Sequence, residues 1–429
     1  MSRFYNITFF SLLIFLFLIP FNQTWTNVFL FIFIAGVLIN KDLYHSSILG
    51  KICDEEKCNI FCSLLYLIWC FISLLWTENF ECGLNLVGRY ISIIVLPLFI
   101  SLARVCGNIK RYDLLLWSFI AGVFISSFVC VYLSYQDCWH ETENGLKFYF
   151  DPYERNLSFW SLVSTGYNHF SYTYLAHFVH PAYFSLYFLL AICFFWDKLL
   201  NTKKISSKFF YIFTIFYCIS FIYLLQSRSA LLCLIVLFPM YLFIFLLKKI
   251  SRIKTVLIGL SLTIIVFIVG ISHTRLSVVF DETTKTIEGL NKSNKQVEPE
   301  NVRIILWKNA FSIIKKNFFW GVGIGDVDSS MERKNIEIGL NVVSLGTHNQ
   351  YIYAQLGMGV IGLLLLMSMF FFAFYYGIKN KYFPLIGFTI AVMINLMFEN
   401  MLTRSAGLMF IPWTQHLLLI MSNAKKCIK

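Results

Sequence analysis

The chain has 429 residues, 58% of them hydrophobic and 14% charged, with 46 phenylalanines and a mean hydropathy of +0.70. That make-up excludes an ordinary water-soluble domain and points to a chain whose main solvent is lipid. The net charge of +12 is read as topology and contact with anionic lipid, not as nucleic-acid binding.

In chain order, apolar runs of roughly 17 to 25 residues are each long enough to cross about 30 Å of hydrocarbon as a helix. They predict twelve spans near 7–22, 24–40, 60–76, 84–103, 113–135, 180–196, 209–226, 229–247, 255–272, 349–376, 382–398 and 404–421. The expected fold class is therefore an all-α integral membrane protein of about 12 transmembrane helices. An open strand edge would leave backbone groups unsatisfied in lipid, and the alternation of an outer-membrane barrel is missing. The first run lacks a small-residue cleavage site and is expected to remain as a helix.

Orientation follows from Lys and Arg, which keep short loops in the cytoplasm. With both termini inside, 20 of the 35 basic residues and six of the 23 acids fall on that side, so the inside carries +14 and the outside −2. Two outward connections are then long, 136–179 and 273–348. The expected organisation is residues 1–272 as nine helices with an outer loop at 136–179, residues 273–348 as a large outer loop between helices 9 and 10, and residues 349–429 as three further helices. Long connections in a compact membrane protein commonly bind or catalyse. The second contains a polar stretch from Asp281 to Glu300, then a helical pattern with Ile304, Trp307, Phe311 and Ile314 on one stripe and Lys308, Ser312, Lys315 and Lys316 opposite. A helix lying on the membrane or over a cavity is expected there.

Most of the 12 cysteines lie in apolar runs, where Cys acts as a small hydrophobe. Cys82 and Cys138 fall in outer loops and are expected to be either a disulfide or two thiols open to impermeant reagents. Cys53, Cys58 and Cys62 lack a second ligand pair at zinc-site spacing, so no metal is expected.

Arginine on the outer side is the most informative feature after composition. Arg89, Arg228, Arg303 and Arg404 fall at or near outward helix ends, where a charge faces a wet cavity or a partner, or snorkels to the interface. Arg228, in Gln226-Ser227-Arg228-Ser229, is confined to a very short turn between two spans, and its planar fork suits a diphosphate. A second constellation runs from Trp320-Gly321-Val322-Gly323-Ile324-Gly325-Asp326 through Thr347-His348-Asn349-Gln350-Tyr351 to Gly357-Met358-Gly359-Val360-Ile361-Gly362. It lacks the spacing and strand–turn–helix setting of a nucleotide loop. His348 is either a functional group or a bystander beside a helix cap supplied by Thr347 or Asn349. Asp326 and Asp328 are close enough to be metal ligands, and a solvated turn is the preferred reading. His180, before Pro181, lines the cavity or sits at the interface.

The Ser227-Arg228 turn, Arg303 with Trp307, the Gly321–Gly325 run, His348-Asn349-Gln350-Tyr351 and the Gly357–Gly362 segment, in that order, resemble the O-antigen ligase/polymerase family. The motifs span roughly 225–365 and the layout extends the resemblance over most of the chain. Two positions depart from the family pattern, with Phe318-Phe319 where many relatives carry a proline and Gln355 where they carry an acid. The resemblance implies a bacterial inner-membrane enzyme with its site facing the periplasm. It implies glycan transfer from an undecaprenyl-diphosphate carrier to lipid A-core or another glycan acceptor, without cofactor, nucleotide sugar or metal. Arg228, Arg303, Arg89 and Arg404 would hold diphosphate and His348 would handle the acceptor proton. His180, Asn349, Tyr351, Trp307, Gly323 and Gly325 would line the substrate cavity. A polymerase with the same donor, a protein-directed oligosaccharyltransferase and a lipid-glycan transporter are the alternatives, the last disfavoured by the lopsided layout.

Overall fold

The structure, a computed structural model, describes residues 3–21, 23–39, 52–105, 111–143, 145–153, 158–247, 302–338 and 346–427. The expected span at 255–272, the polar stretch from Asp281 to Glu300 and loop residues 273–301 and 339–345 lie outside the described residues. Each other expected span overlaps a helix, except that 84–103 falls on two, Phe80–Tyr90 and Ser92–Val105. Among the described residues, six helices are long and apolar enough to cross a membrane, and shorter apolar helices accompany them. The chain divides into two compact units, one of Met1–Asn6, Ile34–Tyr112 and Val279–Lys429, the other of Ile7–Phe33 and Asp113–Val278.

In the first unit the Gln350–Lys379 helix packs along Asp54–Ser73 and Phe383–Leu396, while Ser405–Cys427 packs along Ser92–Val105. Lipid supplies no competing hydrogen bonds, so polar side chains within spans must satisfy one another. Asn59 Nδ2 lies 3.1 Å from His416 Nδ1, Ser101 Oγ donates to Glu56 Oε2 at 2.8 Å, and Gln415 Nε2 donates to the Met369 carbonyl at 2.9 Å. These side chains are buried and cross-link four helices.

The two glycine-rich motifs explain one another. The Gln350–Lys379 helix is interrupted at Gly359, whose φ of 66° is left-handed, so the i→i−4 ladder opens there. The carbonyls it releases are taken up from outside the helix. Val322 N–H donates to Leu356 O at 2.8 Å, Gly323 N–H to Gly357 O at 2.9 Å, and the Trp69 indole to Met358 O at 2.9 Å. Val360 N–H in turn donates to Phe318 O at 2.9 Å. Such close approach needs glycine on both sides: a Cβ on Gly359 would collide with the Phe319 carbonyl, and one on Gly321 with the Gly357 backbone.

The loop helix Val302–Lys316 buries Ile305, Leu306, Asn309, Ala310 and Ile314, while Phe311 is exposed. This corrects the expected stripe. The helix packs against both Gln350–Lys379 and Val327–Glu337, which widens its buried face, and Asn309 goes inside because its amide donates to Asn335 Oδ1 at 2.9 Å.

In the second unit the Pro181–Asn201 helix is buried at every residue from Pro181 to Phe195. Pro181 occupies its first turn, where a missing N–H costs nothing. Edge-to-face contacts of Trp117 with Phe194 and Phe119 with Tyr187 bind it to the Arg111–Asp137 helix, and Lys198 pairs with Asp113 at 2.8 Å. The 136–179 connection is folded, with an antiparallel hairpin of Trp139–Thr142 and Gly145–Phe148 and the short helices Phe159–Thr165 and Tyr172–Leu175. Cys82 and Cys138 are free thiols. The expectation that both face solvent is corrected for Cys138, which is fully buried and whose thiol is pushed up to about 11 by that burial. It directly precedes the hairpin's first strand, and Tyr149 N–H returns to its carbonyl.

Candidate functional site

The site is organised by the short segment between Phe383–Leu396 and Ser405–Cys427, which includes a single 3₁₀ turn at Met401–Thr403. Glu399 sits at its start. Glu399 Oε1 accepts from Arg303 Nη2 at 3.2 Å, and Oε2 lies 3.4 Å from His348 Nδ1. All three side chains are partly exposed, so the cluster is held by protein and open to solvent. One residue further, Asn400 Oδ1 accepts from Thr347 Oγ1 at 3.2 Å. Leu402 N–H donates to Gln350 Oε1 at 2.9 Å. Arg89, in the last turn of Phe80–Tyr90, reaches the Thr403 carbonyl at 3.4 Å. Arg404 follows directly, exposed, and its charge opposes the desolvation that raises the Asp328 carboxyl.

Three of the four arginines singled out in the sequence, with His348, therefore gather around residues 399–404. His348 itself is held at φ 45°, a left-handed conformation costing on the order of 1–3 kcal/mol for a non-glycine residue and most often retained at functional positions. Around it, the bland reading of the segment also holds in part. Asn349 is the helix cap, its Oδ1 accepting from Tyr351 N at 3.0 Å and Ile352 N at 3.1 Å. Trp307 fixes the approach to His348 by donating to the Thr347 carbonyl at 2.8 Å. Tyr351 points elsewhere, its hydroxyl donating to Met393 O at 3.0 Å.

Gly323 and Gly325 belong to the interlock with Gln350–Lys379 and the Thr77–Asn79 turn, since a Cβ on either would strike that turn. Asp326 is buried and accepts from the Glu78 and Asn79 amides at 2.6 and 2.8 Å. This corrects its reading as part of a solvated turn, because two backbone donors replace water. Among the described residues no cluster of three or more His, Cys, Asp or Glu could hold a metal ion.

In the second unit, Arg228 is the first residue of the Arg228–Leu247 helix. The preceding Gln226 is left-handed at φ 49° and donates to the Val163 carbonyl, which anchors the Ser227-Arg228 turn. His180 caps Pro181–Asn201, Nδ1 accepting from Ala182 N at 3.4 Å.

Glu399 is the residue that sequence reasoning missed. Its signal was present: between Lys381 and Arg404 it is the sole charged residue, placed just past an apolar run, and an ionisable group bordering such a run is a functional-site candidate by default. No curated protein matches the chain. A family model described as O-antigen ligase matches residues 213–367, just over a third of the chain and including the anchored Arg228 turn, the loop helix, the glycine interlock and His348. That match supports a ligase- or polymerase-type function on glycan and lipid-linked substrates, and with the apolar helices it supports assigning this membrane chain to the O-antigen ligase family over residues 213–367.

Proposed function

We propose that the protein transfers a glycan from a polyprenyl-diphosphate carrier to a hydroxyl of an acceptor glycan, lipid A-core in the ligase form of the reaction, at the periplasmic face of a bacterial inner membrane. The observation that carries this reading is the convergence of Arg303 and His348 on one carboxylate, Glu399. A carboxylate at Nδ1 favours the tautomer that keeps the proton there and leaves Nε2 as base. The acceptor O–H proton passes to His348 Nε2 as its oxygen bonds to the anomeric carbon, and the bond from that carbon to phosphate oxygen breaks with its electron pair on the leaving diphosphate. Direct attack inverts the anomeric centre.

Charge grows on the departing diphosphate, so the reaction needs cations in place beforehand. Arg303 spends one N–H group on Glu399 and keeps others in the same planar fork for phosphate oxygens. Arg89 and Arg404 add positive charge along the same turn. Arg228 is proposed separately, as a phosphate-binding group of the second unit at a helix N-terminus.

The test is transfer from purified lipid-linked donor by the full-length protein, with donor binding followed in parallel. Arg303→Ala should weaken donor binding and slow transfer, and Arg303→Lys should rescue only in part, because a point charge replaces a fork. Full activity in Arg303→Ala would remove the diphosphate role.

A further inference from the structure

A cleft of about 910 Å³, lined by none of residues 399–404, lies between the C-terminal end of Val302–Lys316, the Val327–Glu337 helix and the turn around Trp76. Its chemistry differs from that of the arginine cluster. Trp320 is 57% exposed and lines the cleft beside Trp76. It is braced from behind by stacking on Trp69, ring centroids 5.8 Å apart, and meets Trp76 edge-on at 5.6 Å. A rigid, outward indole face next to polar groups is a platform for the C–H face of a pyranose ring, whose slightly positive hydrogens meet the negative face of the π system.

The charged groups around it are balanced. Lys316, Arg333 and Lys334 oppose Glu78, Asp326 and Glu337. Lys334 pairs with Glu337 at 2.5 Å, Arg333 with Glu78 at 3.9 Å, and Asp326 is occupied by two backbone amides. A diphosphate would find no net positive field there, whereas sugar hydroxyls can donate to and accept from paired charges without disturbing them.

We infer that this cleft is a glycan-binding subsite for uncharged sugar rings remote from the reacting end of the chain. The inference rests on the transfer reading above. One rigid helix serves both places, with Arg303 at its start and Lys316 at its end, about 20 Å apart at 1.5 Å per residue. Gly357, to which the segment bearing Trp320 is hydrogen-bonded through Gly323, lies about 12 Å along its own helix from Asn349. A glycan reacting beside His348 can therefore extend along the loop helix and rest on Trp320.

The test uses full-length protein in detergent. The probe is the oligosaccharide released by mild acid from the host's own lipid-linked glycan, and its binding is read by calorimetry. Trp320→Ala should weaken binding about tenfold, the loss of one aromatic contact, while Trp320→Phe should stay within about threefold of the native protein. Arg333→Ala, an exposed change on a different helix, supplies a second arm and should weaken binding by about threefold. In the transfer assay Trp320→Ala should raise KM for glycan more than it lowers kcat. Unchanged probe binding in both Trp320→Ala and Arg333→Ala overturns the subsite, and Trp320 is then a lipid-facing anchor. Transfer with probe binding unchanged in both variants sinks the subsite alone. Trp320-dependent binding without transfer sinks the transferase reading and leaves the subsite standing.

Discussion

Glu399 is placed to serve two neighbours, and the two uses are chemically compatible. Its carboxylate meets Arg303 through one oxygen and His348 through the other, so neither partner displaces the first. Where the dielectric is low, a carboxylate bridging a cation and an imidazole also keeps each from being an isolated charge. If Glu399 acts through His348, the two form one functional unit and their losses do not add. Glu399→Ala should slow transfer, and the Glu399→Ala/His348→Ala pair should transfer within about threefold of His348→Ala alone. Steady-state rates of the three variants check this; multiplicative losses would show that Glu399 acts on its own, through Arg303.

At the scale of elements, the decisive construction is the broken helix. Gln350–Lys379 gives up part of its ladder at Gly359, and the glycine run, docked by its own amides, restores those bonds and carries the loop helices with it. The loop is thereby tied to the apolar helix that follows His348, which keeps Trp307 in register with Thr347 and Arg303 with Glu399. Gly359→Ala places a methyl group against the Phe319 carbonyl in a left-handed backbone. It should cost about 1–3 kcal/mol, read as a lower thermal midpoint in detergent, and should lower transfer by loosening Arg303 with the loop. A midpoint equal to that of the native protein would mean that the interlock is not a structural joint.

At the scale of the whole molecule, the proposed layout of twelve spans with both termini inside predicts that a reporter fused after Asn294 is active only outside and one fused after Lys204 only inside. The same side for both would contradict the orientation drawn from Lys and Arg, and with it the proposed periplasmic site. Hydropathy made the helices legible, because a 20-residue apolar run has few alternatives in lipid, and the spans at Asp54–Trp76 and Gln350–Lys379 fall where expected. Arg303 and His348 were legible as candidates because charge beside apolar sequence is conspicuous. Their meeting was not, since Glu399 lies 51 residues beyond His348 and only the packing of Phe383–Leu396 on Gln350–Lys379 brings them together. The buried stripe of the loop helix was misread for a related reason: Asn309 looks like a surface residue until Asn335 is known to face it. The roles of Gly321 and Gly359 were equally hidden, because each glycine is explained by a backbone nearly 40 residues away.

The central claim is that His348, held by Glu399, takes the acceptor proton. The most direct measurement is glycan transfer from purified lipid-linked donor by His348→Ala, with donor binding measured on the same preparation. Intact donor binding is expected, with turnover reduced by about 10²–10⁴-fold, the range for a positioned base. Near-normal transfer would contradict it and leave His348 as a strained residue at the start of a helix.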